Sequence, residues 1–245
     1  MSENFDKASI EREIAAEVKS ANARNKKIMI RLIIIVLMVA VLFGTFLILN
    51  NRENQITIGD GNYETTVDGS RLLANISDSN NPAVVLVMDD DSEIVIELFP
   101  EHAPLTVANF VRLVEADFYN GLTFHRIIHN FMMQGGDPIG NGSGGSDQTI
   151  IGEFSQNGIN NPLRHTNGAV SMARLGNDHD SASSQFFIIQ GNESSFLDGM
   201  YAVFGFVIYG MDTVNTIINN SVPLDSNGTI LHAEQPVIRI AAVIN

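Results

Sequence analysis

Apolar positions follow two different patterns along the chain. From Leu32 to Leu49 (LIIIVLMVAVLFGTFLIL) they run on for 18 residues without a charge. From Pro82 onward they come in short bursts between turn-rich polar stretches. The bursts predict eight strands: 84–88, 93–98, 122–128, 131–134, 168–173, 185–190, 203–208 and 236–244. Segment 93–98 (EIVIEL) alternates, with Ile94, Ile96 and Leu98 on one face. Two helices fit between the strands. Pro104 suits a first helical turn and is followed by Val107, Phe110, Val111 and Val114 at helical spacing. The second covers about 211–219, with Val214, Ile217 and Ile218 on one face. Many strands and only two helices predict a mainly-β fold, a closed eight-stranded antiparallel barrel capped by the two helices.

The uninterrupted run predicts a single transmembrane helix over 28–49, preceding the barrel. Eighteen residues at ~1.5 Å rise approach the thickness of a hydrocarbon core, and Arg31 can snorkel so that Ile28–Ile30 extend the span. A buried soluble helix would show a polar face, and none is present. A cleaved signal peptide is the rival. Against it stand the length of the run, the long leader, and the absence of a small-x-small site before Asn50-Asn51-Arg52. The expected organisation is a leader at 1–27, the membrane helix, a polar tether at 50–81 with one short strand (Gln55–Ile58), and a folded domain at 82–245.

Charge sharpens this picture. Seven of the 14 Lys and Arg residues lie in the first 31 positions, and no lysine follows Lys27. Lys/Arg bias therefore predicts a cytoplasmic N-terminus, a single-pass cell-membrane protein in contact with the lipid bilayer, and an extracytoplasmic domain. Net charge is −14, which argues against nucleic-acid binding. Cysteine is absent, so disulfides and thiol chemistry are excluded. Gly140-x-Gly142-x-x-Gly145 matches a dinucleotide motif, but no strand-to-helix turn surrounds it, so no nucleotide is expected. The six histidines lack metal-ligand spacing, and Asp89-Asp90-Asp91 reads as a solvated hairpin turn without calcium-loop spacing. No cofactor or metal is expected.

What remains is a concentration of aromatic, Met and Gln residues. It comprises Phe124-His125-Arg126 with Phe131-Met132-Met133-Gln134-Gly135-Gly136-Asp137, then Ser171-Met172-Ala173-Arg174, Ser184-Gln185-Phe186-Phe187-Ile188, and Phe196-Leu197-Asp198-Gly199. In these blocks and their order the chain resembles the cyclophilin family of peptidyl-prolyl isomerases, in its bacterial branch, over roughly residues 82–245. The resemblance implies an eight-stranded barrel with two capping helices, in agreement with the strand count. It implies Arg126 as the catalytic arginine, with Phe131, Met132, Phe187 and Leu197 walling a proline pocket. By the same resemblance Gln134 and Gln185 orient the substrate backbone, Ala173 and Arg174 lie beside it, and His125 supports the site. Phe196 and Tyr201 stand where eukaryotic members carry tryptophan and histidine. The implied partners are proline-containing segments of unfolded or folding proteins.

Taken singly, Phe131, Met132 and Phe187 would read as core, and Arg126 as a salt-bridged structural residue. Two functions remain open at this point. One is an extracytoplasmic isomerase that assists folding; the other is a non-catalytic chaperone or interaction module that holds proline-containing peptides in the same groove.

Overall fold

The computed structural model describes residues 55–59, 64–72, 74–77 and 80–244, with three isolated positions (19, 29 and 38) ahead of them. The predicted leader and membrane span therefore lie outside the described residues, apart from those three positions. Among the described residues no helix is long and apolar enough to cross a membrane.

All eight predicted strands form. They are β3 (Ala83–Met88), β4 (Glu93–Leu98), β5 (Thr123–Ile128), β6 (Met132–Asp137), β7 (Ala169–Met172), β8 (Phe186–Ile189), β9 (Val203–Tyr209) and β10 (Ile238–Val243). Two more, β1 (Gln55–Gly59) and β2 (Glu64–Asp68), precede them as a separate hairpin. The main sheet has the order β10-β3-β4-β9-β7-β8-β6-β5 and every pairing is antiparallel.

The expected closed barrel is corrected to an open, strongly curled half-barrel. Its edges, β10 and β5, share no continuous ladder: an isolated bridge between Thr123 and Val237 joins them, flanked by hydrogen bonds of Ile238 with Gly121 (2.7 Å) and Leu122 (2.8 Å). The chemistry of the edges explains why. Pro236 sits next to the bridge and has no N–H to continue the pairing, so its carbonyl alone accepts the Phe124 N–H (2.9 Å). Beyond that point β10 is bulged between Ile238 and Ile240, and the β5–β6 pairing shifts register on either side of Phe124.

The concave face holds the main core. Helix α1 (Pro104–Glu115) buries Val107, Phe110 and Val114 as its spacing predicts, with Leu113 in place of Val111, which is only partly buried. The Phe110 ring meets Phe186 at 5.4 Å and Phe204 at 5.1 Å. Helix α2 (Met211–Asn220) buries Val214 and Ile218. The first turn of α1 carries no cap from its own neighbours. The buried Glu153 supplies one, accepting the N–H groups of Leu105 (3.0 Å) and Thr106 (2.7 Å).

The predicted tether is also corrected. Its strand Gln55–Ile58 exists, but it pairs with β2, and the hairpin packs on the convex face of the sheet. Ile58, Val67 and Leu72 are buried there with Val85, Val87, Val95 and Ile240. The wholly buried strand β3 needs an apolar cover on both sides, and these three residues supply the outer one. Polar anchors hold the connection. Glu97, 1 % exposed, accepts the Ser77 N–H and hydroxyl and the Asn81 amide, and Arg71 pairs with Glu93 at 2.6 Å. Leu72→Ala is expected to cost about 2–4 kcal/mol of folding stability through transfer and cavity terms, measured by urea denaturation. A free tether would give no change.

Candidate active site

The register of four strands assembles the site. Arg126 on β5 lies opposite Gln134 on β6. Gln134 lies opposite Phe187 on β8, and Phe187 opposite Ser171 on β7. Directly opposed residues of antiparallel strands project to the same face. One row across the sheet therefore carries a cation, an amide, an aromatic ring and a hydroxyl in sequence. The bulge in β5 between Phe124 and Arg126 sets this register. Gly135 permits it, since a Cβ there would lie 2.8 Å from the Thr123 carbonyl oxygen and 2.9 Å from the Phe124 ring.

Around this row lies a hollow of about 160 Å³ lined by Arg126, Phe131, Met132, Gln134, Ala173, Arg174, Phe187, Leu197 and Tyr201. Nine of the residues named from the sequence thus meet in one place. Phe196 stands at the rim, 59 % exposed, with its ring 5.6 Å from that of Phe131. Gln185 lies outside the hollow and lines an adjoining groove with Gly142–Ser146. His125 is buried behind the site, and neither ring nitrogen has a hydrogen-bond partner.

Arg126 is oriented from two sides. Its Nε–H donates to the Asn227 carbonyl at 2.7 Å and its Nη1 donates to Gln134 Oε1 at 3.2 Å. Burial lowers its pKa, and Tyr201 and Asp225 oppose that shift; a guanidinium remains charged throughout the accessible pH range. Because Gln134 accepts from Arg126, its amide is left to donate, and it does so to Gln185 Oε1 at 2.9 Å. Gln185 in turn donates to the carbonyls of Gly142 (3.1 Å) and Gly144 (2.7 Å). The loop carrying those carbonyls is wound around buried Asp137, which accepts the N–H groups of Ile139, Asn141 and Gly142. Burial pushes the Asp137 carboxyl up, but these N–H groups hold it below its ordinary value. The glycine-rich stretch that mimics a dinucleotide motif is this carboxylate-centred loop.

Arg174 takes a more structural position than the sequence suggests. Its guanidinium lies over the rings of Tyr201 (4.7 Å) and Phe154 (5.2 Å). It also donates to the carbonyls of Met200 (3.0 Å) and Leu175 (2.8 Å). The neighbouring Ala173 N–H is bonded to the Gln185 carbonyl at 2.9 Å.

Sequence reasoning misses the support behind Phe187. The buried His165 ring stacks on Phe187 at 6.0 Å with 12° between planes. Its Nδ1 lies 3.0 Å from Asp198 and its Nε2 3.0 Å from the Ser171 hydroxyl. A carboxylate accepts only, so this network assigns the proton to Nδ1 and leaves Nε2 to accept from Ser171. The only signals in the sequence are a His and an Asp 33 positions apart, a separation without local meaning.

Burial lowers the pKa of both His165 and His125, although Asp198 and Asp137 respectively oppose it. Each imidazole thus binds fewer protons folded than unfolded, so stability rises with pH. It is complete above the unfolded value of about 6.5 and declines as pH falls below it. Asp137 and Asp198 have lowered pKa values and lose their contribution only below the unfolded carboxylate value of about 3.9. Urea midpoints are therefore expected to fall between about pH 7.5 and 5, with a shallower slope in His165→Asn; a flat wild-type profile would contradict this.

Comparison with known proteins gives a consistent result. Residues 83–241 match the family model for cyclophilin type peptidyl-prolyl cis-trans isomerases. Peptidyl-prolyl cis-trans isomerase B of Bacillus subtilis is 43% identical over 136 residues, covering 56% of this chain and 90% of that protein. An isomerase of Dictyostelium discoideum is 41% identical over 138 residues, covering 54% of this chain and 85% of its own. A Cryptosporidium parvum cyclophilin-type isomerase, crystallised in the presence of the dipeptide Ala-Pro, superposes with a TM-score of 0.58 at 28% identity. The match covers 66% of this chain and 99% of that one. With Arg126, Gln134 and Phe187 already placed around one hollow by strand register, these matches establish that the chain belongs to the cyclophilin-type peptidyl-prolyl cis-trans isomerase family and is an enzyme of that class.

Proposed function

We propose that this chain isomerises X-Pro bonds in extracytoplasmic polypeptides, assisting their folding from a membrane anchor at 28–49, with Arg126 as the catalytic group. The observation that carries the reading is a guanidinium held by two hydrogen bonds at the wall of a hollow whose other side is formed by Phe131, Met132, Phe187 and Leu197. The Ala-Pro dipeptide associated with the Cryptosporidium relative supports a proline-containing ligand. Basic residues ahead of the apolar run, and the lack of any lysine after it, support the orientation.

The chemistry asks little else of the protein. Rotation about a peptide bond must disrupt amide resonance, a barrier of ~18–20 kcal/mol. No covalent bond breaks. At the perpendicular geometry the proline nitrogen regains a basic lone pair, and a donor that bonds better to that state lowers the barrier. Phe131, Met132, Phe187 and Leu197 would hold the ring and exclude water, while Gln134 and Gln185 hold the peptide backbone as the acyl side turns. Uncatalysed exchange takes roughly 10–100 s, slow beside the emergence of a chain across a membrane.

Arg126→Ala is expected to lower kcat/KM by on the order of 10²–10³, as loss of one transition-state donor does. Arg126→Lys should not restore full activity, because an ammonium lacks the planar fork that meets Gln134 and the Asn227 carbonyl together. An NMR exchange assay on an Ala-Pro-Phe peptide decides it; wild-type turnover by the alanine variant would remove Arg126 from the mechanism. Intact mass of the membrane-extracted chain tests the anchor, which predicts a protein that keeps its apolar run and the leader before it. A mass lacking both would overturn the anchor.

A further inference from the structure

Arg126 is gripped from the side away from Gln134 by a turn outside the sheet. Residues 227–230 run beside β5. The Ile127 N–H donates to the Gly228 carbonyl at 2.8 Å and the Ile230 N–H to the His125 carbonyl at 3.0 Å, while Arg126 itself bridges to Thr229. At the tip of this turn lies the Asn227 carbonyl that accepts the Arg126 Nε–H.

Burial cannot fix the shape of such a turn. Its sequence is Asp225-Ser226-Asn227-Gly228-Thr229, and the first three residues are exposed. The Asp225 carboxylate supplies the order instead. Its Oδ1 accepts the N–H groups of Asn227 (3.0 Å) and Thr229 (3.1 Å), and its Oδ2 accepts the Thr229 hydroxyl (2.9 Å). The Asp225 carbonyl also accepts the Gly228 N–H at 3.1 Å. Gly228 has φ +87°, and a Cβ there would stand 2.6 Å from the Ile127 carbonyl oxygen, so only glycine closes the turn against β5.

We propose that Asp225 is a positioning residue for the isomerase reaction: it folds the turn whose Asn227 carbonyl aims the Arg126 guanidinium across the hollow. This rests on the catalytic role proposed for Arg126. An arginine head fixed only at Nη1 can swing about its terminal torsions; a second bond at Nε sets its plane. A displacement of about 1 Å at such a group can reduce turnover by as much as 10²-fold. Asp225 also contributes negative charge near Arg126. Shape and charge are separable, because Asp225→Asn keeps an oxygen for the two N–H groups and removes the charge.

The test compares the full chain with its Asp225→Ala, Asp225→Asn, Gly228→Ala and Arg126→Ala variants. The readouts are kcat and KM by NMR exchange on the Ala-Pro-Phe peptide, melting temperature, and the Nε–Hε resonance of Arg126. Asp225→Ala is expected to lower kcat on the order of 10-fold with KM within about 2-fold and melting temperature within about 2 °C. The Arg126 Nε–Hε signal should lose its protection from solvent exchange. Gly228→Ala should reproduce the loss in kcat by breaking the same turn, and Asp225→Asn should retain most of the wild-type kcat. Wild-type kcat in Asp225→Ala beside an impaired Arg126→Ala would overturn the role of Asp225 alone. An unchanged Nε–Hε signal, or an Asp225→Asn as poor as the alanine variant, would also overturn it. Wild-type turnover by Arg126→Ala would overturn both readings.

Discussion

The hydrogen bond between the Arg126 guanidinium and the Gln134 side chain is the interaction on which the site depends. It exists because the β5–β6 register sets the two residues opposite each other. It also fixes the donors and acceptors beyond it. Gln134 must offer its amide to Gln185, and Gln185 must reach the loop organised by Asp137. Each step removes a choice of donor or acceptor, so a surface cation becomes a group with one orientation. A one-residue slip of β5 would take Arg126 off the face that carries Gln134 and Phe187 and break this row.

The hollow owes its shape to a second network on the other side of the row. Phe187 is a wall of the hollow and also the ring on which His165 stacks. The imidazole is fixed by Asp198 and Ser171, one beside the short turn that carries Leu197 and the other on β7. Leu197 and Phe187 therefore belong to one packed unit with Met132, Ile189 and Val203. A rigid wall suits a reaction whose only requirement is that one geometry of the amide be favoured over another.

What could be read from the sequence depends on the range of the physics involved. Strands β3 to β10 declare themselves as short apolar bursts between turns, and α1 by Pro104 and the spacing of Val107 and Phe110, because both signals are local. Closure of the barrel is not legible in the same way. A strand count carries no information about whether the first and last strands align, and here Pro236 and the neighbouring register shifts interrupt their pairing. The hairpin reads as tether because β2 (ETTVD) is polar at four of five positions; its one buried valine, Val67, acts with residues far along the chain. At the site, ordered blocks of residues identify the hollow. The supports are another matter. His165 finds Asp198 and Arg126 finds Asn227 only after folding, the latter across 101 positions. Glu153 caps α1 from a loop 47 residues beyond Thr106.

The central claim is that the Arg126–Gln134–Phe187 row receives the proline ring and its preceding carbonyl together. A crystal structure of the full chain with a bound Ala-Pro peptide tests it most directly. The ring is expected to pack against Phe131, Met132 and Phe187, with the guanidinium within hydrogen-bond distance of the prolyl amide. A ring seated elsewhere, or a guanidinium turned out to solvent with the peptide bound, would contradict it.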